Sequence, residues 1–301
     1  MTTLDQIVSK VRQQLLGFTL NQESITELTS PMTASDTTFM VDVGTVTALA
    51  RGLVQIDDEL ILVRSYDDTS GAVTVMGGAN GRGAENTTPA AHNVSALVTS
   101  NPAFPRASIK DAISRSIETL YPDLVAFGVV DFPFNAAQVE YPLPADAEGV
   151  WYVVGRWVGP EMVSAPMPNW RVNPRAYAGD FPTGKSIQIF DPVTPGQNVR
   201  VVYTKTPTLL AADSDDFTLT GYEDSVHDLV VWDSCKRLLP GLLSARLQQQ
   251  AVEATERAAL VSSRDIASAV QMYASLYAEG LEREKARQYA DTPTYVTFQG
   301  S

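Results

Sequence analysis

The first predicted element is a short amphipathic helix at the start of the chain. Its apolar residues recur every three or four positions, the spacing that places side chains on one side of a helix. They are Leu4, Ile7, Val8, Val11 and Leu15. Thr3 is suited to cap this helix, and Gly17 is suited to close it in a left-handed conformation. A helix this short has little stability of its own, so its apolar side must pack on the rest of the protein.

Between residues 25 and 99 the apolar positions alternate with polar ones, which is the pattern of half-buried strands. Short strands separated by turns rich in Gly, Asp and Ser predict a small antiparallel sandwich or barrel. The predicted strands cover residues 39–43, 53–64, 73–76 and 94–98, and a kink or turn within residues 55–59 interrupts the second.

A second helix and a second β-rich block follow. Ile109, Ile113 and Ile117 share one helical side, and Pro122 ends or kinks the helix. Beyond it, β-branched and aromatic residues predict new strands. These strands cover residues 150–154, 187–190 and 199–203, and the last two are predicted to form a hairpin about a turn at residues 192–196.

The last third of the chain is predicted to be helical. It contains a heptad-like seam whose small residues allow close helix packing. The seam residues are Leu247, Ala251, Ala254, Ala258 and Val261. A second apolar stripe, which includes Ile266 and Tyr273, follows a break at residues 262–265, so two helices or one long helix with a register break both fit. Pro293 opposes helix in the polar tail, and we expect residues 289–301 to form an extended arm.

These elements predict an α+β protein built on a discontinuous helical bundle. The bundle would comprise residues 1–20, 104–128 and 211–288. Two antiparallel β domains of a small sandwich or barrel type, residues 23–103 and 129–210, would be inserted into it, and the extended C-terminal arm would follow.

Charge narrows the classes of function. The 301 residues carry a formal net charge of −13, which disfavours wrapping of nucleic acid, because phosphate binding depends on Lys and Arg. The charge is concentrated in the outer thirds of the chain, residues 1–104 and 211–301, while the middle third is nearly neutral. No apolar run approaches the roughly 18 residues of a membrane span. A single cysteine, Cys235, excludes an intramolecular disulfide framework and a cysteine zinc cluster.

One segment fits the formula of a phosphate-binding loop. Residues 179–186 read G-D-F-P-T-G-K-S, but that loop requires a preceding strand and a following helix. Residues before Gly179 resemble a loop, and Ser186 begins a strand-like alternation. A hairpin turn around Gly184 and Lys185 is therefore the favoured interpretation.

The remaining candidates for chemistry are few. His92 and His227 have no metal-ligand spacing with another His or Cys. The acidic run Asp213, Asp215 and Asp216 lacks a calcium-loop pattern and is interpreted as a solvated loop. Cys235 is expected to be a small buried apolar residue. We therefore predict no catalytic, cofactor or metal site.

A glycine-rich loop between two predicted strands is more informative. Read from its residues alone, this loop holds Arg82 and His92 where they could hydrogen-bond loop carbonyls. The chain also resembles, over about 40 residues, a module of tailed-phage structural proteins in which an I-D-x-E strand precedes an R-G-x…T-x-A-x-x-H loop. The matching residues are Ile56, Asp57, Glu59, Arg82, Gly83, Thr87, Ala90 and His92, while Glu85 and Asn86 stand where a second glycine is often seen.

The order of helices and β blocks resembles the head-to-tail connector (adaptor) proteins of tailed double-stranded DNA phages. This resemblance implies a homo-oligomeric ring, commonly of twelve subunits, in the virion neck. Its partners would be the portal protein and the next neck or tail protein, and DNA would pass without specific binding. Assembly would take place in the host cytoplasm, and the C-terminal arm would reach a neighbouring protein. An acidic channel suits sliding DNA, so we expect acidic residues of the outer thirds to face the DNA path.

Two other classes of function are kept open. The module alone also allows a tail-tip, baseplate or fibre-attachment component of the virion. An enzyme, either a nucleotide hydrolase acting through Lys185 or a cell-wall hydrolase, rests only on the loose phosphate-loop formula.

Overall fold

A computed structural model describes residues 1–18, 23–43, 52–156, 164–191, 193–242 and 263–290. Within these residues the protein is α+β, with helices and antiparallel sheets. The helices are α1 (Leu4–Leu16), α2 (Arg106–Leu120), α3 (His227–Leu238) and α4 (Ser263–Ala290). The chain groups into two compact units. The first unit is Asp5–Arg115 with Val230–Tyr277, and the second is Met1–Leu4 with Ser116–Leu229 and Ala278–Ser301.

The first unit contains a six-stranded sheet in the order β1-β6-β3-β4-β5-β2, and every neighbouring pair is antiparallel. Its strands are β1 (Ser24–Glu27), β2 (Thr38–Met40), β3 (Gly52–Ile56), β4 (Glu59–Tyr66), β5 (Ala72–Val75) and β6 (Leu97–Ser100). The two end strands also meet, because Leu28 bridges Val41 and the amide of Thr29 donates to the carbonyl of Met40 at 3.0 Å. The sheet therefore curls back on itself as a partly closed barrel, as the strand spacing predicted.

The alternating residues of these strands fill the barrel. Its buried cluster is Leu28, Met32, Phe39, Val41, Val54, Ile56, Ile61, Val63, Val73, Val75 and Val98. The turn predicted within residues 55–59 is found at Asp57 and Asp58, between β3 and β4. Strand β6 begins three residues later than predicted, because a turn in which the amide of Ala96 bonds the carbonyl of Asn93 precedes it.

Helix α1 buries the whole predicted apolar stripe. Within the first unit, the hydroxyl of Tyr273 on α4 lies 2.9 Å from the side-chain oxygen of Gln14. Burial of each Leu, Ile or Val side chain stabilises such a helix by about 1.5–3 kcal/mol, which offsets its weak intrinsic stability. Gly17 does not take the left-handed conformation expected of it. The end of the helix is closed instead by a bond from the amide of Phe18 to the carbonyl of Leu15 at 3.0 Å.

The second unit contains two antiparallel sheets that share one core. A four-stranded sheet has the order β10-β9-β13-β7, and a three-stranded sheet has the order β11-β12-β8. The strands are β7 (Ala126–Pro133), β8 (Glu140–Pro142), β9 (Ala147–Arg156), β10 (Ser164–Pro166), β11 (Trp170–Asn173), β12 (Ser186–Ile189) and β13 (Asn198–Lys205). Val153, Ile187 and Val201 meet in the core, and the rings of Phe132 and Tyr141 stack with centroids 4.4 Å apart.

The hairpin predicted about residues 192–196 is wrong. Strand β12 pairs with β11 and β8, whereas β13 pairs with β7 and β9. The chain between β12 and β13 therefore connects two different sheets. Strand β7 begins at Ala126, three residues before the predicted boundary of this block.

Helix α4 carries the second predicted apolar stripe, with Ile266 and Tyr273 buried. The seam residues Leu247, Ala251, Ala254, Ala258 and Val261 lie outside the described residues, so their role in helix packing stays a prediction. Helix α4 includes Tyr289 and Ala290, which were predicted to begin the arm. The rest of the arm, residues 291–301, also lies outside the described residues.

Candidate functional site

The phage-type loop motif forms one buried polar cluster in the first unit. We call it the clamp and define it by Glu59, Arg82 and His92. Glu59 begins β4, Arg82 follows the short 3₁₀-helix Gly78–Gly81, and His92 pairs its backbone with Met32. The side chains of Glu59 and Arg82 are 0% exposed and that of His92 is 1% exposed. Charged groups so deeply buried must be paired and hydrogen-bonded.

Arg82 and Glu59 form a two-pronged ion pair. The Nε of Arg82 donates to Oε1 of Glu59 at 2.6 Å, and one terminal nitrogen donates to Oε2 at 2.8 Å. The remaining donors of the guanidinium bond the backbone carbonyls of Thr33, Asp36 and Ala90 at 2.7–2.9 Å. All five N–H groups of an arginine are thereby used.

Glu59 is the centre of the clamp. Besides Arg82, its carboxylate accepts the amides of Gly83 at 3.0 Å and Ala90 at 2.9 Å, and Nε2 of His92 at 2.9 Å. Burial on its own would raise the pKa of Glu59. The bonds from Arg82, His92, Ala90 and Gly83 outweigh burial and lower the pKa to about 2, so the carboxylate is ionised at neutral pH.

His92 is held between two carboxylates. Its Nε2 faces Glu59, and its Nδ1 lies 2.8 Å from Oδ2 of Asp57. Ionised carboxylates only accept hydrogen bonds, so both ring nitrogens must carry protons. Burial opposes this charge, but the bonds to Glu59 and Asp57 prevail and raise the pKa of His92. The two acceptors and the raised pKa favour the imidazolium form, which balances part of the acidic charge.

The other motif residues shape the loop around the clamp. The hydroxyl of Thr87 donates to the carbonyl of Ala84 at 2.8 Å and accepts the amide of Leu60 at 3.0 Å. Gly83 has a positive φ of 62°, and a Cβ there would lie 2.6 Å from the carbonyl oxygen of Thr87. Glu85 and Asn86, which replace the second glycine of the module, also have positive φ, the conformation that glycine adopts most easily.

The sequence located this loop but not the centre of its hydrogen bonding. Arg82 does bond a loop carbonyl, that of Ala90, as the structural interpretation proposed. The ring of His92 instead bonds the carboxylates of Asp57 and Glu59, so that part of the interpretation is wrong. In the sequence, Glu59 stands out only as part of a strand motif. Its position directly before the apolar run Leu60–Val63 could have indicated a buried acidic residue that needs a basic partner. The three clamp side chains are at most 1% exposed and bond the loop between β5 and β6 to β4, so the arrangement stabilises that long loop.

The segment that fits the phosphate-loop formula is a connection between β11 and β12. A strand, not a helix, begins at Ser186. The Nζ of Lys185 donates to the carbonyls of Ala145 at 2.7 Å and Ala147 at 2.6 Å. The positively charged group thus closes a loop through two backbone carbonyls.

The other candidates also have local structural partners. Asp215 accepts the amides of Ala212 and Ala211, which lowers its pKa, and Asp216 caps the 3₁₀-helix Phe217–Thr220. His227 begins α3 and lies 3.1 Å from Asp228. Cys235 is buried, and burial raises the pKa of its thiol to about 12.

The described residues contain neither a metal-binding cluster nor a membrane-spanning helix. No group of His, Cys, Asp and Glu side chains among them could hold a metal ion. Within the same ranges, no helix is both long and apolar enough to cross a membrane.

The second unit has an apolar pocket of about 390 Å³ beside the four-stranded sheet. We call it the sheet pocket. Its lining residues are Phe127, Val129, Trp151, Tyr152, Val202, Thr218, Gly221, Tyr222, Glu223 and Gln288. Val129, Val202 and Tyr152 are cross-strand neighbours on β7, β13 and β9, and the rings of Phe127 and Trp151 lie 5.4 Å apart. No local sequence pattern indicates this pocket, because its side chains come from distant parts of the chain.

Comparison with known proteins places the chain in a family. No curated protein matches it. Residues 92–297 match the family described as SU10 adaptor protein. The match begins at His92, so Glu59 and Arg82 of the clamp lie outside it. It includes the second β block and the helices that follow. Because the match covers about two thirds of the 301 residues, the chain belongs to the SU10 adaptor protein family of phage adaptor, or connector, proteins.

Proposed function

We propose that this adaptor forms a homo-oligomeric ring of twelve subunits in the phage neck, between the portal protein and the next neck or tail protein. The observation that carries the proposal is the family match over residues 92–297. The role is structural and involves no catalytic step. The neck of the virion is its final location, after assembly in the host cytoplasm.

The charge of the chain supports passage of DNA without capture. A net charge of −13 repels DNA phosphates. Few Lys and Arg side chains would then bind the backbone and slow a sliding duplex. We propose that acidic residues of the outer thirds line the DNA path. Asp215 has a lowered pKa because the amides of Ala212 and Ala211 bond its carboxylate, so it stays charged at neutral pH.

The fixed conformation of the loop between β5 and β6 suits a subunit that is repeated around a ring. A subunit in a ring meets its two neighbours through two different, complementary surfaces, which must have the same shape in every copy. The clamp fixes a 21-residue loop (residues 76–96) on its barrel. We further propose that the helices form one discontinuous body with the two β domains inserted, and that the C-terminal arm reaches a neighbouring protein.

Negative-stain microscopy of the purified protein, alone and mixed with portal protein, tests the ring. We expect rings, or rings that appear when portal is added. A protein that stays monomeric with portal present, and that mass spectrometry fails to find in virions, would overturn the proposal. Signal only at the distal tail of separated particles would point to a tail-tip component instead.

A further inference from the structure

The sheet pocket leaves apolar surface uncovered. Val129 on β7 is 55% exposed although it lines the pocket beside Phe127 and Trp151. Aromatic and aliphatic side chains around a concave site are the usual features of a surface that accepts another apolar group. The pocket volume of about 390 Å³ is sufficient for aromatic side chains.

The C-terminal segment of the chain starts at this pocket. Gln288, which lines it, bonds both backbone groups of Val125: it accepts the amide at 3.1 Å and donates to the carbonyl at 3.0 Å. Arg287 bonds Glu223, another lining residue. These contacts hold the last turn of α4 next to the start of β7. Helix α4 ends at Ala290, only two residues beyond Gln288.

The composition of that segment fits an apolar pocket. Residues 291–301 read D-T-P-T-Y-V-T-F-Q-G-S, and no side chain after Asp291 is charged. Tyr295 and Phe298 are its large apolar groups. Tyr295 is the fifth residue after Ala290, so an extended chain can reach about 17 Å from the end of the helix.

We propose that in the free subunit, before the arm meets a neighbouring protein, residues 294–298 fold back on the same chain and place Tyr295 or Phe298 in the sheet pocket. The short connection keeps the segment near the pocket at an effective concentration in the millimolar range, so even weak intrinsic affinity fills the site. In the free subunit the docked segment covers Val129. This proposal does not depend on ring formation and is tested on the isolated full-length protein.

Disulfide trapping in dilute solution tests the docking. The reporter is the full chain with Val129→Cys and Thr297→Cys, which leaves Tyr295 and Phe298 in place. The matched control joins Thr297→Cys to Val139→Cys, because Val139 is 57% exposed in the same unit but does not line the pocket. Cys235 is buried and its thiol pKa is raised to about 12, so it can remain. A third variant adds Tyr295→Asp and Phe298→Asp to the reporter.

We expect the reporter to close an intrachain disulfide about tenfold faster than the control, since docking concentrates one thiol at the other. The two Asp substitutions should reduce that rate to the control rate. Equal rates in reporter and control would overturn the proposal, and so would an unchanged rate in the Asp variant, which would show mere proximity. A disulfide-linked dimer as the main product would show that the segment occupies a second copy, which also contradicts docking on the same chain.

Discussion

At the scale of single residues, the clamp shows how a buried charge is tolerated. Glu59 loses its hydration inside the barrel but gains two bonds from Arg82, one from His92 and two from backbone amides. Such pairs contribute little net stability compared with a well-packed apolar core, but removal of one partner leaves the other charge buried and unpaired. Substitution of Glu59, Arg82 or His92 should therefore destabilise the loop.

The substitution Glu59→Gln tests this dependence. The amide keeps the shape of the side chain but removes its charge, so Arg82 and His92 lose their counter-ion. We expect a loss of about 3–5 kcal/mol in the stability of the barrel. Hydrogen exchange of the amides in β4 and β6 is the suitable measurement, because no tryptophan lies in residues 23–103.

The matched control is Glu27→Gln, at an exposed position of β1 in the same sheet. A surface substitution of this kind should change stability by no more than about 0.5 kcal/mol. Equal exchange rates in the two variants would contradict the assigned role of Glu59.

The clamp also predicts a dependence of stability on pH. The pKa of His92 is raised above its ordinary value of 6.5, so its contribution is fully present below pH 6.5 and is lost as pH rises through the folded-state pKa. The pKa of Glu59 is lowered from 4.5 to about 2, so its contribution is present above pH 4.5 and is lost as pH falls towards 2.

This dependence is measurable in the variant His92→Gln. We expect the difference in unfolding free energy between wild type and variant to be larger near about pH 5.5 than near about pH 9. NMR of the imidazole nitrogens should show His92 still doubly protonated at pH 6.5. A difference that grows with pH, or a His92 that titrates below its ordinary value, would refute the assignment of an imidazolium.

At the scale of elements, the sequence predicts secondary structure correctly where residues close in sequence determine the element. The spacing of Ile7, Val11 and Leu15 was sufficient to predict α1, because a helix is specified by residues near in sequence. The prediction of a β12–β13 hairpin was wrong because turn residues indicate where a strand ends but not which strand it pairs with. The clamp and the sheet pocket were missed for the same reason: Glu59 and Arg82 are 23 positions apart, and Phe127 and Gln288 are far more distant.

Gln288 provides a test at this scale, because it ties the end of α4 to the start of β7. Gln288→Ala removes both hydrogen bonds to Val125, at a cost of about 1 kcal/mol. We expect faster hydrogen exchange at residues 124–127 and in the last turn of α4. Gln271→Ala, at an exposed position of the same helix, is the control and should leave both segments unchanged. Equal effects of the two substitutions would show that Gln288 does not hold the helix end.

At the scale of the whole molecule, the uneven charge predicts a low affinity for DNA. The outer thirds each carry a net charge of −6, and the middle third carries −1. Non-specific DNA-binding proteins reach dissociation constants of about 10⁻⁴–10⁻⁶ M through Lys and Arg. We expect fluorescence anisotropy to show weaker binding than this for the purified adaptor. Tight binding that falls steeply with added salt would contradict an acidic channel.

A reconstruction of the phage neck with this chain traced is the most direct test of the central claim. We predict a ring of twelve copies between portal and tail, with acidic residues of the outer thirds, more than the second β block, facing the DNA path. A channel lined mainly by Arg and Lys, or a chain found away from the neck, would contradict it.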